Sequence, residues 1–167
     1  LAGMMETVED IPKDAILNGL PWNWESYGEY LDSLESLNPV INLGGLIGHC
    51  AVRFYVMGDR GVDQEPSQKE KMQMADIVRQ AIRDGAVGFS TSRNPGHRIP
   101  DGRSVPGTFA KHDELLQIAK AVGEQDALMQ SVTNMSAFED EMALSKAEGA
   151  SARVLFSHYT GGTNSYG

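Results

Sequence analysis

Four short runs of apolar or glycine residues, each ending in polar side chains, constrain the fold of this chain more than any other feature. Helical patterns separate most of these runs from the next one. Alternation of strands and helices with short connections is typical of a parallel sheet flanked by helices, so the sequence predicts an α/β fold. The runs are NLGGLIGHCAVR (42–53), VGFSTSR (87–93), ALMQSV (127–132) and RVLFSHY (153–159).

The polar ends of these runs indicate where a functional site would lie. In a parallel α/β barrel, the side chains that follow the strands converge on one face of the molecule. We therefore expect a common rim that carries His49, the segment Ser90–Arg93, Gln130, Ser131 and His158.

The length of the chain limits how much of a barrel it can form. A complete eightfold barrel typically needs about 250 residues, whereas this chain has 167. We therefore predict a partial (β/α) barrel of the TIM type, with about four parallel βα units in a single domain over residues 1–167. On this interpretation the chain is the central segment of a larger protein. The alternative is a smaller, self-contained open α/β domain.

Composition and charge argue against several classes of function. The hydrophobic share of 41% and the charged share of 22% are ordinary for a globular protein. A net charge of -9 argues against nucleic-acid binding, which needs clustered Lys and Arg. No apolar run approaches the length of a membrane span, about 18 residues. The single cysteine, Cys50, cannot form an internal disulfide, so we expect a cytoplasmic location.

Local patterns in the first third of the chain predict one helix and one strand. The acidic, Met-rich opening, Leu1–Gly19, is typical of a loop with short turns. Aromatic and leucine residues at helical spacing predict a helix over about Glu25–Leu37, which Pro39 ends. A strand is predicted over about Val40–Gly48, and a helical turn over Ala51–Met57.

The middle of the chain carries the clearest helix signals. Ser67 and Glu70 have the spacing of a capping box, in which a hydroxyl and a carboxylate satisfy free amides at the start of a helix. An apolar face follows, and Gly85 suits the end of this helix. The second strand is predicted over Ala86–Ser90, and a third helix over about His112–Val122.

The capping-box spacing recurs before the last predicted strand. Ser136 and Glu139 stand three residues apart and predict a fourth helix that runs through Glu148. On this interpretation the acidic cluster Glu139–Glu141 is the negative first turn of that helix, which the helix dipole favours.

One long loop, Asn94–Lys111, separates the second strand from the third helix. Loops of this length are usually functional or mobile. On the active face of a barrel, Arg93, Arg98 and Arg103 are candidates to bind a substrate carboxylate through bidentate hydrogen bonds. The alternative is a solvated excursion whose arginines stay hydrated.

Histidines at strand ends are the candidate metal ligands. A rigid strand fixes the direction of His158, and a neutral imidazole nitrogen suits zinc. A lone histidine is nevertheless more often a hydrogen-bonded structural residue. His49 is similar, and joint ligation with Cys50 is not expected because neighbouring side chains on a strand point in opposite directions. The sequence contains no His-x-His pair, phosphate-binding loop or GxSxG motif.

Several consecutive runs resemble one enzyme family. They are LAGMMETVEDIP (1–12), GLPWNWESYGEYLDSL (19–34), LIGHCAVRFYVMG (46–58), AIRDGAVGFSTSR (81–93) and PDGRSVPGTFAKHDEL (100–115). These runs resemble the N-acyl-D-amino-acid deacylases, or D-aminoacylases, of the amidohydrolase superfamily. The resemblance implies a distorted (β/α) barrel beside a small β-sandwich. It also implies a zinc-activated water that cleaves the amide of an N-acyl-D-amino acid.

The resemblance also implies roles for individual residues. The run Ser157–Thr160 matches the first half of a Ser-His-His-Lys-like strand end, which implies that His158 is a metal ligand. The resemblance implies that His49 belongs to the framework at the strand end and supports the metal ligands without binding the metal itself. Residues 130–133 stand where the family often has a Thr-His-Met-Arg-like strand end, and they lack both the histidine and the arginine. The remaining ligands and the catalytic aspartate are expected outside these 167 residues, so we predict no catalytic residue within them.

These observations leave three hypotheses for function. The first is a segment of a zinc-dependent amidohydrolase that acts on N-acyl amino acids and is inactive in isolation. The second is a non-catalytic scaffold that self-associates into a homo-oligomer through its open sheet edges. Unpaired strand edges favour such pairing with another chain. The third is a metal-independent hydrolase built on Ser90 and His49, for which the sequence shows no orienting acid.

Overall fold

The computed structural model describes residues 2–9 and 11–157, and a four-stranded parallel sheet lies at its centre. The strands lie side by side in chain order, and each pairs in parallel with the next. The four strands and their parallel pairing are therefore confirmed. The strands are β1 (Leu46–Gly48), β2 (Gly88–Ser92), β3 (Leu128–Val132) and β4 (Arg153–Ser157).

Helices connect the strands, and the longest of them pack against one face of the sheet. No helix in the described part of the chain is both long and apolar enough to cross a membrane. The helices are α1 (Ala2–Glu9), α2 (Lys13–Gly19), α3 (Tyr27–Ser36), α4 (His49–Met57), α5 (Arg60–Asp63), α6 (Gln68–Arg83), α7 (His112–Gly123) and α8 (Phe138–Glu148). A 3-10 turn, Met135–Ala137, precedes α8.

The two faces of the sheet differ in how they are covered. Phe89 and Met129 are register neighbours on the face that packs against the helices, and both are fully buried. We call this the covered face. Ser90 and Gln130 are register neighbours on the other side, the open face, where Leu155 is 49% exposed. In a closed barrel an open face of this kind points to the interior.

The hydrophobic core lies between the covered face and helices α6 and α7. Each large side chain buried there contributes about 1.5–3 kcal/mol of stability. Its members include Val52, Met74, Val78, Phe89, Leu115, Ile118, Val122 and Met129.

Helix α6 forms as its sequence predicts. The Ser67 hydroxyl accepts the Glu70 amide, and the Glu70 carboxylate accepts the Ser67 amide at 2.7 Å, so the capping box is confirmed. Met74 and Val78 then lie on its buried face. Gly85 follows the helix with φ of +119°, a backbone conformation that favours glycine.

The prediction for the first nineteen residues was wrong. Two helices, α1 and α2, occupy the stretch that was expected to be a loop with short turns. Pro12 does not prevent helix formation there, because it occupies the N-cap position of α2 and needs no intrahelical amide bond.

Three element boundaries also differ from the prediction. Strand β1 begins at Leu46 rather than at Val40, because Val40 and Ile41 are highly exposed and pair with no neighbouring strand among the described residues. The predicted turn at 51–57 is a full helix, α4, which begins at His49. Helix α8 begins at Phe138, and it has no side-chain cap.

The capping box predicted from Ser136 and Glu139 is therefore wrong. The Asn134 side chain accepts the Ser136 amide at 3.1 Å and starts the 3-10 turn instead. Ser136 lies inside that turn, where its hydroxyl is not placed to cap α8.

Candidate functional site

The structure brings the predicted polar residues that it describes, all except His158, to the carboxyl edge of the sheet but divides them between its two faces. Ser90 and Gln130 lie on the open face. Thr91 and Ser131, the next residues along each strand, are buried on the covered face. His49 follows β1 directly and is 1% exposed. The expected common rim thus consists of an open group and a buried group.

His49 belongs to a buried polar network that links three parts of the chain. Its Nδ1 lies 2.9 Å from Thr91 Oγ1, and its Nε2 lies 2.9 Å from Glu114 Oε1. Arg53, one turn further along α4, donates through Nη1 to both carboxylate oxygens of Glu114. None of the four residues is more than 5% exposed. We call these residues (His49, Arg53, Thr91 and Glu114) the His49 network.

The electrostatics of the His49 network favour an ionised carboxylate. Burial by itself would raise the pKa of Glu114, but the hydrogen bond from His49 and the charge of Arg53 outweigh burial and lower that pKa. Arg53 also donates to the carbonyl oxygens of Gly61 and Gln64, each at 2.7 Å. These bonds satisfy the guanidinium away from water, which a buried charge requires.

The His49 network is built to hold elements together. It joins α4, which follows β1, to the end of β2 and to α7. Both imidazole nitrogens of His49 have protein partners, so neither is open to a metal ion. The hydroxyl beside the imidazole is that of Thr91, which is 4% exposed and closed to substrate, while Ser90 lies on the opposite face. Glu114 is an acid that contacts His49, as the hypothesis of a metal-independent hydrolase requires. His49 does not contact Ser90, however, so this acid does not activate Ser90 as a nucleophile.

Sequence reasoning missed Glu114 and Arg53, although a signal for Glu114 was present. Glu114 lies four residues before Ile118 and eight before Val122, on the buried stripe of α7. A charged residue on an apolar stripe indicates a buried partner, because an unpaired charge there would be costly. The partner itself, 61 residues away in Arg53, has no local signature.

A second buried network surrounds Arg93, the residue that follows β2. Its Nε lies 2.7 Å from Glu141 Oε1, and its Nη1 donates to the Ala110 carbonyl at 2.7 Å. Glu148, one further buried acid on α8, has no hydrogen-bond partner for either oxygen among the described residues. We call these residues (Arg93, Glu141 and Glu148) the Arg93 network. Arg93 was predicted to bind substrate, and in this structure its charge is matched by Glu141.

Glu148 is the most perturbed acid of the Arg93 network. Burial raises its pKa to about 7, with a further upward contribution from the charge of Glu141 and a partial opposing one from Arg93. The charge of one guanidinium thus acts on two buried carboxylates, of which only Glu141 contacts it.

The long loop is an ordered structure in which the other two candidate arginines are anchored. Arg103 contacts Asp101 at 2.7 Å and Asp63 of α5 at 2.6 Å. The Arg98 Nη1 donates to the Gly102 carbonyl at 2.6 Å, and the backbone of Arg98 bridges to Ser104. These arginines are on the surface and lie on the loop between β2 and α7.

The same loop packs directly on His49. Gly107 has φ of +96°, and a Cβ at this position would lie 2.5 Å from His49 Nδ1. Only glycine fits such a backbone so close to a ring. The loop therefore rests on the His49 network.

The described residues do not by themselves fit a zinc site. Within 2–9 and 11–157, no three His, Cys, Asp or Glu side chains are grouped as metal ligands would be. Burial raises the pKa of Cys50 to about 11, which keeps its thiol protonated at neutral pH. The predicted ligand, His158, lies outside the described residues.

The fold and the site define a class of protein. Four parallel strands joined by helices, with polar side chains at the carboxyl edge of the sheet, form part of a TIM-type barrel. A sequence model of the amidohydrolase family matches residues 1–155, and the chain belongs to that family.

The chain spans less than a quarter of the length of three proteins to which its sequence is similar. N-acyl-D-glutamate deacylase of Alcaligenes xylosoxydans xylosoxydans is 33% identical over 99 residues, which are 59% of this chain and 18% of that protein. D-aminoacylase of the same organism is 29% identical over 120 residues, 72% of this chain and 22% of that protein. An uncharacterised protein of Mycobacterium tuberculosis is 27% identical over 144 residues, 80% of this chain and 23% of that protein.

Solved structures have the same fold. A D-aminoacylase variant in complex with CuCl2 matches with a TM-score of 0.66 at 21% identity, over 80% of this chain and 27% of that one. N-acyl-D-glutamate deacylase of Bordetella bronchiseptica, complexed with zinc and a phosphonate mimic of the tetrahedral intermediate, matches with a TM-score of 0.61 at 28% identity. That match covers 76% of this chain and 26% of the deacylase.

Proposed function

We propose that the complete gene product containing these 167 residues hydrolyses the amide bond of N-acyl-D-amino acids. The observation that carries this proposal is the 33% identity to an N-acyl-D-glutamate deacylase, in a chain that belongs to the amidohydrolase family. The polar carboxyl edge of the sheet supports it, because active sites of such barrels lie there. The single partial-barrel domain over 1–167 and its inactivity in isolation remain part of the proposal.

Zinc is the proposed cofactor, and relatives with zinc or copper support a metal. When bound in such enzymes, zinc activates water for hydrolysis. Because the described residues supply no ligand set, we propose that His158 is the one ligand from this chain. His49 is then not a ligand. It influences the site only by positioning the end of β2 and the loop that packs on it.

Binding of the substrate carboxylate is the proposed role of Arg93, Arg98 and Arg103. The surface position of Arg103 and the loop position of Arg98 support this for those two residues. Arg93 would have to exchange Glu141 for the substrate, since its Nε already lies 2.7 Å from that carboxylate.

The test is an assay of the complete gene product, loaded with zinc, on N-acetyl-D-glutamate and N-acetyl-D-methionine beside their L-forms. We expect release of the D-amino acids only, and loss of that activity on chelation. The Arg98→Ala and Arg103→Ala variants should raise KM, whereas Arg79→Ala, which removes a surface ion pair on α6, should not. Hydrolysis of the L-forms alone, or of neither form, would contradict the proposal.

A scaffold that self-associates is the second candidate. Strands β1 and β4 each have one neighbour within the described sheet, and the open face carries the exposed Leu155. Unpaired strand edges template further pairing. A metal-free, inert dimer in size-exclusion chromatography of the complete gene product would favour this candidate.

Because the chain has a single cysteine, we propose a cytoplasmic location, which cell fractionation tests.

A further inference from the structure

His97 stands at the carboxyl end of β2 and contacts the open face. Its Nδ1 lies 2.8 Å from the hydroxyl of Ser92, the last residue of β2. Ser92 shares the open face with Ser90, two residues earlier, and with its register partner Val132. The imidazole is therefore placed beside the barrel interior, on the opposite side of the sheet from the His49 network.

The backbone of His97 is fixed from both directions. Its amide donates to the Asn94 carbonyl at 3.1 Å, and its carbonyl accepts the Val105 amide at 3.1 Å. Together with the bond to Ser92, these contacts hold the ring against the strand end. A donor held in this way loses little conformational freedom when it binds a ligand.

The contacts of Ser92 favour one tautomer of His97. The Ser92 oxygen accepts the Asn94 amide at 3.3 Å, and its proton has His97 Nδ1 as the acceptor in the described part of the chain. When Ser92 donates to Nδ1, the neutral ring carries its own proton on Nε2. No other described residue makes a hydrogen bond with that Nε2. The ring is half-buried, and in this tautomer its Nε2–H is a fixed donor with no acceptor among the described residues.

We propose that His97 is a substrate-binding residue, whose Nε2–H donates to an oxygen of the N-acyl amino acid, and that Ser92 is its positioning residue. This inference rests on the proposed function, because it takes the substrate from there. A neutral N–H fits either of two oxygens on such a substrate, the α-carboxylate and the acyl carbonyl. The shared chemistry is an acceptor oxygen at the mouth of the barrel.

Two substitutions of His97 separate its two nitrogens. In His97→Asn the side chain reaches only the position of Nδ1, so it keeps the contact with Ser92 and loses the outer donor. In His97→Gln the amide reaches the position of Nε2 and keeps that donor. The matched control is His112→Asn, which changes a partly exposed histidine at the start of α7 that contacts Asp140 at 3.2 Å.

Kinetics of the complete, zinc-loaded gene product give the first readout. We expect His97→Asn to lower kcat/KM about tenfold, with most of the change in KM, and His97→Gln to stay within about threefold of the wild type. Assaying N-acetyl-D-methionine and its α-amide identifies the oxygen. Selective loss on the acid indicates the carboxylate, and equal loss on both indicates the acyl carbonyl. Unchanged kinetics in His97→Asn would overturn the inference.

Ring NMR gives a readout that does not depend on activity. In the wild type, His97 should show the Nε2–H tautomer, and a phosphonate analogue of N-acetyl-D-glutamate should shift its Nε2 resonance; Ser92→Ala should mix the tautomers. A shift without hydrolysis upholds the inference and refutes the deacylase proposal. Hydrolysis with an unshifted His97 does the reverse. Absence of both refutes both.

Discussion

His49 Nε2 lies 2.9 Å from Glu114 Oε1, although 65 residues separate them in the chain. Both side chains are 1% exposed. Arg53 contacts the same carboxylate, so one acid satisfies two donors from α4.

Removing this acid should be among the most destabilising changes in the protein. Glu114→Ala leaves Arg53 and His49 buried without their acceptor, and we expect the free energy of unfolding to fall by about 3–5 kcal/mol. Urea denaturation at pH 7 measures it. The control is the neighbouring Asp113→Ala, which removes an exposed carboxylate that pairs with Lys71 and should cost at most about 1 kcal/mol. Equal losses in the two variants would show that the buried pairing is unimportant.

The contact of the loop with His49 predicts a difference between two glycines. Gly102 and Gly107 have φ of +91° and +96°, so alanine is strained at both by about 1 kcal/mol. Only at Gly107 would the new Cβ also meet a neighbour, His49 Nδ1 at 2.5 Å. We therefore expect Gly107→Ala to cost about 2 kcal/mol more than Gly102→Ala, and to speed hydrogen exchange in residues 94–111. The same stability in both variants would mean that the loop does not rest on His49.

Burial of Glu148 predicts a specific dependence of stability on pH. Its pKa rises from an ordinary value of 4.5 to about 7 on folding. Its contribution to stability is therefore complete below pH 4.5 and is lost as the pH rises through 7. Glu148→Gln removes the ionisable group. The free energy of unfolding of this variant, minus that of the wild type, should be smallest near pH 4.5 and should increase by at most about 3 kcal/mol at pH 8.

Urea denaturation across this pH range tests that dependence. Glu35→Gln, at an exposed position on α3, is the control and should show no such growth. A difference that stays constant from pH 4.5 to 8 would refute the assignment to Glu148.

Two serines with the same sequence signature should behave differently. Ser67 caps α6, and its replacement by alanine should cost about 1 kcal/mol. Ser136 also stands three residues before a glutamate, but it lies in the 3-10 turn and α8 has no side-chain cap. Ser136→Ala should therefore change the free energy of unfolding by less than about 0.5 kcal/mol. A full capping loss at Ser136 would restore the interpretation that the sequence suggested.

The sheet was predictable because its signals are local and repeated. Each strand is a short apolar run, and the helices between them show apolar stripes, as in α6 and α7. The first helices and the start of α8 were not predictable in the same way. Pro12 begins a helix instead of ending one, and Ser136 lies in a 3-10 turn instead of capping α8. Both results depend on backbone geometry, which residue spacing alone does not reveal.

The candidate site was harder to predict, since it depends on pairs that are distant in sequence. Strand alternation separates Ser90 from Thr91 and thereby decides which hydroxyl meets His49. The prediction that Arg93 binds a substrate carboxylate did not include its partner Glu141, 48 residues further on. His97 gave no sequence signal at all, because its environment is set by the fold of the loop that contains it.

The two buried ionic networks are staggered by one repeat. Arg53 and His49, after β1, contact Glu114 in the helix after β2, and Arg93, after β2, contacts Glu141 in the helix after β3. A single βα unit is therefore not an interchangeable module. Removing or transplanting it would leave an unpaired buried charge in each of the two neighbouring units. Recombination that keeps this region working has to move adjoining repeats together.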